Sequence, residues 1–298
     1  MPRSSLASTL PAAAADARFT SALSIVLAYE GGLVDHPRDP GGRTNQGITQ
    51  GVYDGYRRRR GLGVQGVHGL AASERDAIYR VQYWDKVRGD ELPAGLDLVL
   101  FDGAVHSGPV QSVKWLQRAL GGIAVDGTIG EVTLAAAASH ADPVALIARV
   151  LDRRLAFLKA LSTWAVFGTG WSRRLAHLRA AAGGRVSGDG APAPQVFPGG
   201  GAKARLADAR MPSPVSAGAG AAGAGAAGGS GAAALLAAAQ ARIEPFVGTM
   251  PWLAFAVAGL AVAGAVLLLA GAAYAWHARR RNDAIRDALD LAPAGAGA

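Results

Sequence analysis

The stretch from Glu30 to Thr49, EGGLVDHPRDPGGRTNQGIT, limits what this chain can fold into more than any other. Phe19, Leu23 and Val26 precede it at spacings of four and three, which predicts an amphipathic helix with Asp16 as its N-cap. Glu30 lies four residues past Val26, so it continues the apolar stripe, and Gly31-Gly32 then stop the helix. A carboxyl on a core-facing stripe is costly unless it is hydrogen-bonded or protonated. Desolvation favours the neutral form, which is the form a general acid needs. The turn that follows holds a second carboxylate, Asp39, among glycines and polar residues, where it is expected to stay ionised. Two carboxyl groups in opposite environments suit glycoside hydrolysis. The plainer alternative is a glutamate that closes a helix and glycines that make a turn.

The rest of residues 17–183 reads as helices. Thr49 is a candidate N-cap for a short helix from Gly51 to Arg60, with Val52, Tyr53 and Tyr56 apolar and Arg57 to Arg60 at the end where positive charge complements the helix dipole. Gly61 to Gly66 spells G-x-G-x-x-G, but no strand precedes it, so it is read as a loop and not as a dinucleotide site. Ser73 to Asp76 resembles a capping box. The helix it opens is expected to turn Ile78, Val81 and Trp84 inward and to set Tyr79, Tyr83 and Trp84 near a cleft. Leu96 to Val105 predicts a buried helix broken at His106-Ser107-Gly108-Pro109, with Asp102 as a satisfied buried polar group. Further helices are expected through Val113, Leu116 and Leu120, from Thr133, from Asp142-Pro143 to Leu158, and from Trp171 to Ala182. A short hairpin near Arg43 to Thr49 is the only strand signal, so the fold class is mainly α.

The run E-G-G, then D-P-G-G-x-T-N-x-G-I-T, resembles the N-terminal motif of glycoside hydrolase family 108, lysozyme-like N-acetylmuramidases of phage lysis and secretion systems. In that family the glutamate of the EGG motif is the catalytic acid, which implies that role for Glu30. A Glu-x8-Asp spacing similar to that of phage-type lysozymes suggests a role for Asp39. Tyr83-Trp84-Asp85 matches the family's Tyr-Trp-Asp segment, with Asp85 a second-rank site candidate. F-D-G-A-V-H-S-G, W-L-Q-R-A-L and V-D-G-T-I-G-x-x-T-L resemble the predicted peptidoglycan-binding region that follows. The resemblance covers about residues 17–180 and implies a lysozyme-like helical domain, with 17–95 catalytic and 96–183 peptidoglycan-binding. It implies peptidoglycan as substrate, the β-1,4 bond between N-acetylmuramic acid and N-acetylglucosamine as target, and no cofactor. Thr44, Asn45, Thr49, Tyr83 and Trp84 are the candidate substrate-binding residues. A lytic transglycosylase using Glu30 alone, or a non-catalytic wall-binding scaffold, are the alternative readings.

Beyond residue 183 the composition changes. Residues 184–249 are rich in Ala, Gly and Pro and cannot build a core, so they are read as a disordered linker with a mean span of roughly 45 Å. Residues 1–16 are read as a disordered lead-in with no secretory signal. Trp252 to Trp276 lack charge and would extend about 38 Å as a helix, so a single transmembrane helix is expected over 250–276. Arg279, Arg280, Arg281 and Arg286 follow it, which predicts a basic cytoplasmic tail at 277–298, an inner-membrane location and a periplasmic large domain. The net charge of +8 suits an anionic polymer, but no nucleic-acid motif surrounds the arginines, and DNA is not an expected partner. With no cysteine, six histidines and no H-E-x-x-H, no metal site is expected.

Overall fold

The computed structural model describes residues 12–30, 33–34, 43–211, 241–242, 252–289 and 291. The chain divides into two compact units, Met1–Arg210 and Met211–Ala298. The first unit is mainly α. Its first helix, α1 (Ala12–Glu30), buries Phe19, Leu23, Val26 and Tyr29 and delivers Glu30 at its end. Because α1 starts at Ala12, the lead-in expected over 1–16 is helical in its last residues. Asp16 is therefore no cap; its carboxylate pairs with Arg80 at 2.9 Å.

Three two-residue strands form an antiparallel sheet in the order β1 (Leu33–Val34), β2 (Thr44–Asn45), β3 (Ile48–Thr49). Gln46 and Gly47 make the β2–β3 turn with φ of 47° and 76°. Two central residues at positive φ match the right-handed twist of paired strands, and the pairing sets Thr44 opposite Thr49. Thr49 also caps α2 (Gln50–Arg59), its hydroxyl accepting the Val52 N–H at 3.3 Å.

The expected capping box at Ser73–Asp76 does not form. The residue at the N-cap of α3 (Ala72–Tyr79) is Ala71, and Asp76 pairs with Arg75. After α3 the chain widens into a π turn over Arg80–Trp84. The extra residue per turn shifts the helical phase, so Tyr79 and Trp84 face the core together while Val81, expected inside, is 51 % exposed. Trp84 is fully buried, edge-on to Phe19 and Phe101, with its indole N–H donating to Asp90 at 2.9 Å.

At the centre lies α4 (Leu96–Ser107), buried from Leu96 to His106. Around it pack α1, α5 (Pro109–Leu120), α7 (Pro143–Lys159) and α8 (Trp164–Ser187), with α6 (Glu131–Ala138) against α5. Asp142 caps α7 by accepting the Ala145 N–H at 2.9 Å. The composition places a linker from residue 184, yet α8 runs to Ser187 and the packed chain continues to 210. After Gly188 the backbone turns back and lies along the unit. The Ala204 N–H donates to the His106 carbonyl at 3.1 Å, the Arg210 N–H donates to the Ala160 carbonyl at 2.9 Å, and Leu161 bridges Ala209.

The second unit corrects the expectation of a membrane span. Among the described residues, no helix is long and apolar enough to cross a membrane. The helix α9 (Trp252–Ala288) does not stop at 276 to release a separate tail. It runs on through Arg279, Arg280, Arg281, Asp283, Arg286 and Asp287, charges that hydrocarbon would not accept.

Replacing Trp84 with alanine would empty the aromatic cluster between α1 and α4, at a cost of about 3–5 kcal/mol. Urea unfolding is expected to show that loss for Trp84→Ala and a smaller one for Trp84→Phe, which keeps a ring in place.

Candidate active site

The C-terminal end of α1, the β2–β3 turn, the end of α4 and the segment 196–205 enclose a cleft of about 780 Å³. Among the described residues, Glu30 is the only acid that lines it. Its side chain is 1 % exposed. One oxygen, Oε1, lies 3.4 Å from both terminal nitrogens of Arg174, and the other, Oε2, accepts from the Lys203 ammonium. The hairpin turn closes over the same carboxylate. A Cβ on Gly47 would lie 2.6 Å from Oε2 and 2.6 Å from the Tyr79 hydroxyl, so only glycine fits there.

Arg174 is in turn held from behind. Its Nη2 donates to Asp102 Oδ1 at 2.6 Å and its Nε donates to the same carboxylate at 3.0 and 3.2 Å, while Nη1 donates to the Gly200 carbonyl at 2.9 Å. Arg154 donates to the far oxygen of Asp102 at 2.6 Å. None of these three charged side chains is exposed. Burial alone would raise the Asp102 carboxyl, but the guanidinium groups of Arg174 and Arg154 outweigh it and hold the group below its usual range. Burial likewise works against charge on Arg174, and Asp102 and Glu30 more than restore it. Asp102 is thus the satisfied buried group that the apolar run predicts. Glu30 is buried as its position on the stripe requires, and both of its oxygens face cations, Arg174 and Lys203.

Aromatic groups complete the wall. Tyr29 stacks on Phe197 with ring centroids 5.8 Å apart, and the Arg174 guanidinium lies over the Tyr29 ring, 4.5 Å from its centroid. Its hydroxyl donates to His177 Nδ1 at 2.5 Å, which leaves His177 Nε2 to donate to the Ala193 carbonyl at 3.0 Å. Burial, followed by the nearby Asp102, raises the Tyr29 phenol and keeps it neutral. His106 is held neutral as well, first by burial and then by Arg174, Arg154 and Lys203.

The structure brings Thr44, Thr49 and Tyr83 to the cleft beside Glu30. Burial raises the Tyr83 phenol and the Glu30 charge raises it further, so it presents a neutral hydroxyl. Two expectations need correction. Asn45 does not line the cleft, since its amide donates to the Val67 carbonyl at 3.1 Å. Trp84 cannot stack on a sugar because no part of it reaches solvent. Asp39 lies outside the described residues. Asp85 sits away from the cleft with half its side chain exposed, 3.6 Å from Arg80. Arg174, Lys203 and Phe197 went unread in the sequence. Arg174 left a signal, a charge on the same α8 face as buried Trp171, Leu175 and Leu178. Lys203, in a glycine-rich run, left none. Among the described residues, no cluster of His, Cys, Asp or Glu could hold a metal ion.

Comparison with known proteins bears on the same residues. The family model described as Glycosyl hydrolase 108 matches residues 23–108, and the one described as Predicted Peptidoglycan domain matches residues 111–176. No curated protein matches the chain. Among solved structures, "Structure of Brucella abortus SagA" is 42 % identical, covers 57 % of this chain and 97 % of its own, and superposes with a TM-score of 0.50. Glu30 belongs to the first matched region and Arg174 to the second, so one site draws on both.

Since the Asp102 carboxyl is lowered on folding, its contribution is fully present above the ordinary aspartate range, near about pH 4, and is lost as pH falls below it. Urea unfolding of the wild type is expected to weaken between about pH 5 and pH 3, with this part of the slope missing in Asp102→Asn. At neutral pH, Asp102→Ala would strand two buried arginines and cost roughly 3–5 kcal/mol.

Proposed function

Because the chain belongs to the glycosyl hydrolase 108 family and is a peptidoglycan hydrolase, we propose that it cleaves the β-1,4 bond between N-acetylmuramic acid and N-acetylglucosamine, with Glu30 as general acid. The observation that carries this reading is the position of Glu30: among the described residues it is the only carboxylate of a cleft large enough for sugar rings. In its protonated form Glu30 gives its proton to the leaving glycosidic oxygen as the anomeric carbon–oxygen bond breaks. Water then adds to that carbon, and the proton it releases restores the acid. Asp39, nine residues on, is proposed to stabilise the positive charge that develops at the ring or to position the water.

Arg174 is a positioning residue in this scheme. Asp102 and Arg154 lock its guanidinium, and Arg174 in turn fixes where the Glu30 carboxyl points. Thr44, Thr49 and Tyr83 offer hydroxyl groups along the cleft for sugar hydroxyl and acetamido groups. The wall polymer lies outside the cytoplasmic membrane, and that compartment is the proposed place of action.

The test is digestion of purified peptidoglycan by the full chain, with fragments analysed by mass spectrometry. Wild type is expected to release muropeptides with reducing ends, and Glu30→Gln to lose at least about 10²-fold in rate while remaining folded. Products ending in a 1,6-anhydro ring would instead make the enzyme a lytic transglycosylase. Release undiminished in Glu30→Gln would move the acid to another residue, and wall binding without release would make the chain a binding module.

A further inference from the structure

We propose that residues 196–205, VFPGGGAKAR, form an autoinhibitory strap in which the Lys203 ammonium takes the place of the catalytic proton on Glu30, and that a glycan strand must displace the strap to be cleaved. The inference rests on the reading of Glu30 as the acid.

A general acid must touch a glycosidic oxygen, yet the Glu30 side chain is 1 % exposed. Three elements cover it. Arg174 is fixed in the core by Asp102, and the Gly47 turn belongs to the small sheet. The third cover is the strap. Lys203 Nζ donates to Glu30 Oε2 and to the Val105 carbonyl at 3.0 Å. Gly201 presses on the end of α1 so closely that a Cβ there would lie 2.2 Å from the Tyr29 carbonyl oxygen.

The strap is fastened at separate points and not by a continuous ladder. Besides Lys203, these are Gly200 to Arg174 at 2.9 Å, Ala202 to the Trp171 indole at 2.9 Å, Ala204 to His106 at 3.1 Å, and Phe197 on Tyr29. Pro198 and Gly199 between them, and Val196 and Arg205 at the ends, are exposed. The strap also lies past residue 176, where the matched regions end, and leads in sequence to the second unit.

Charge balance gives the contact its meaning. Arg154 and Arg174 balance Asp102 and an ionised Glu30. Inserting the Lys203 ammonium adds one positive charge to this buried group, and protonating Glu30 adds the same charge at the same oxygen. The two states compete, since the lysine and the proton claim the same oxygen, Glu30 Oε2, and together would put two excess positive charges in one buried group. With Lys203 seated, Glu30 has no proton to give. Part of the population is then closed to substrate, and the apparent affinity falls by the fraction that remains open.

The experiment compares the full-length wild type, Lys203→Met and Lys203→Arg on soluble glycan strands prepared from peptidoglycan, by reducing-end release. Lys203→Met is expected to lower KM several-fold with kcat little changed, and Lys203→Arg to stay near wild type. Phe197→Ala, which loosens the strap elsewhere, is expected to move KM in the same direction. Hydrogen exchange on the free proteins is expected to speed up at the Gly200 and Ala204 amides in Lys203→Met. An active wild type whose KM rises, or whose kcat falls, in Lys203→Met would make Lys203 part of the substrate site and overturn the strap. Faster exchange with unchanged KM would overturn it too. Release of neither reducing-end nor 1,6-anhydro products by any of the folded proteins would overturn the reading of Glu30 together with the strap.

Discussion

A pair of arginines sharing one aspartate, all without contact to solvent, sits where α4, α7 and α8 meet, and the placement of Glu30 depends on it. Removing such ions from water costs several kcal/mol each, which only close pairing and full hydrogen bonding offset. Asp102 meets that condition, with both oxygens engaged by guanidinium groups. Arg154 meets it less fully. Its Nε and one terminal nitrogen have no hydrogen-bond partner, and its guanidinium lies 5.7 Å from the centre of the Trp115 ring instead. A cluster that costs this much and anchors a carboxylate in a cleft contributes orientation more than stability.

That dependence joins the two matched regions. Glu30 comes from the end of α1, whereas Arg174, which holds it, comes from α8 near the far edge of the second matched region. α4 runs through the middle, donating Asp102 to the cluster and packing against helices on both sides. A division into a catalytic part and a wall-binding part therefore describes the order of the sequence better than it describes the packing.

The region beyond α8 shows the limit of composition as a guide. Pro- and Gly-rich text cannot build a core, but it can cover one. Between Phe197 and Ala204 the chain uses glycine to approach α1 and α8 and spends its backbone carbonyls on Arg174 and Trp171. The same reading by composition gave a membrane span over 250–276. The structure instead has one 37-residue helix whose later part carries arginines and aspartates, and among the described residues no helix qualifies as a span.

Several features were legible because they are local. The spacing of Phe19, Leu23 and Val26 specifies a helix whose inner stripe ends on Glu30, and the N-Q-G-I-T run specifies the tight hairpin beside it. The apolar run from Leu96 specifies the central buried helix, and Asp142-Pro143 its capped neighbour. Period and turn chemistry act over a few residues, so they can be read from a few residues. Val81, expected inside, turned outward because a π turn changed the helical phase, and phase depends on how the helix packs. Trp84 turned inward as expected but is shut off from the cleft by Phe19 and Phe101. The partners of Glu30 lie 144 and 173 positions away along the chain, on a helix and a strap that meet only once the bundle has closed. The sequence by itself determined that a carboxylate would be buried at the end of α1. Only the tertiary structure decided which cations neutralise it there, because Coulomb energy depends on distance in space and not on separation along the chain.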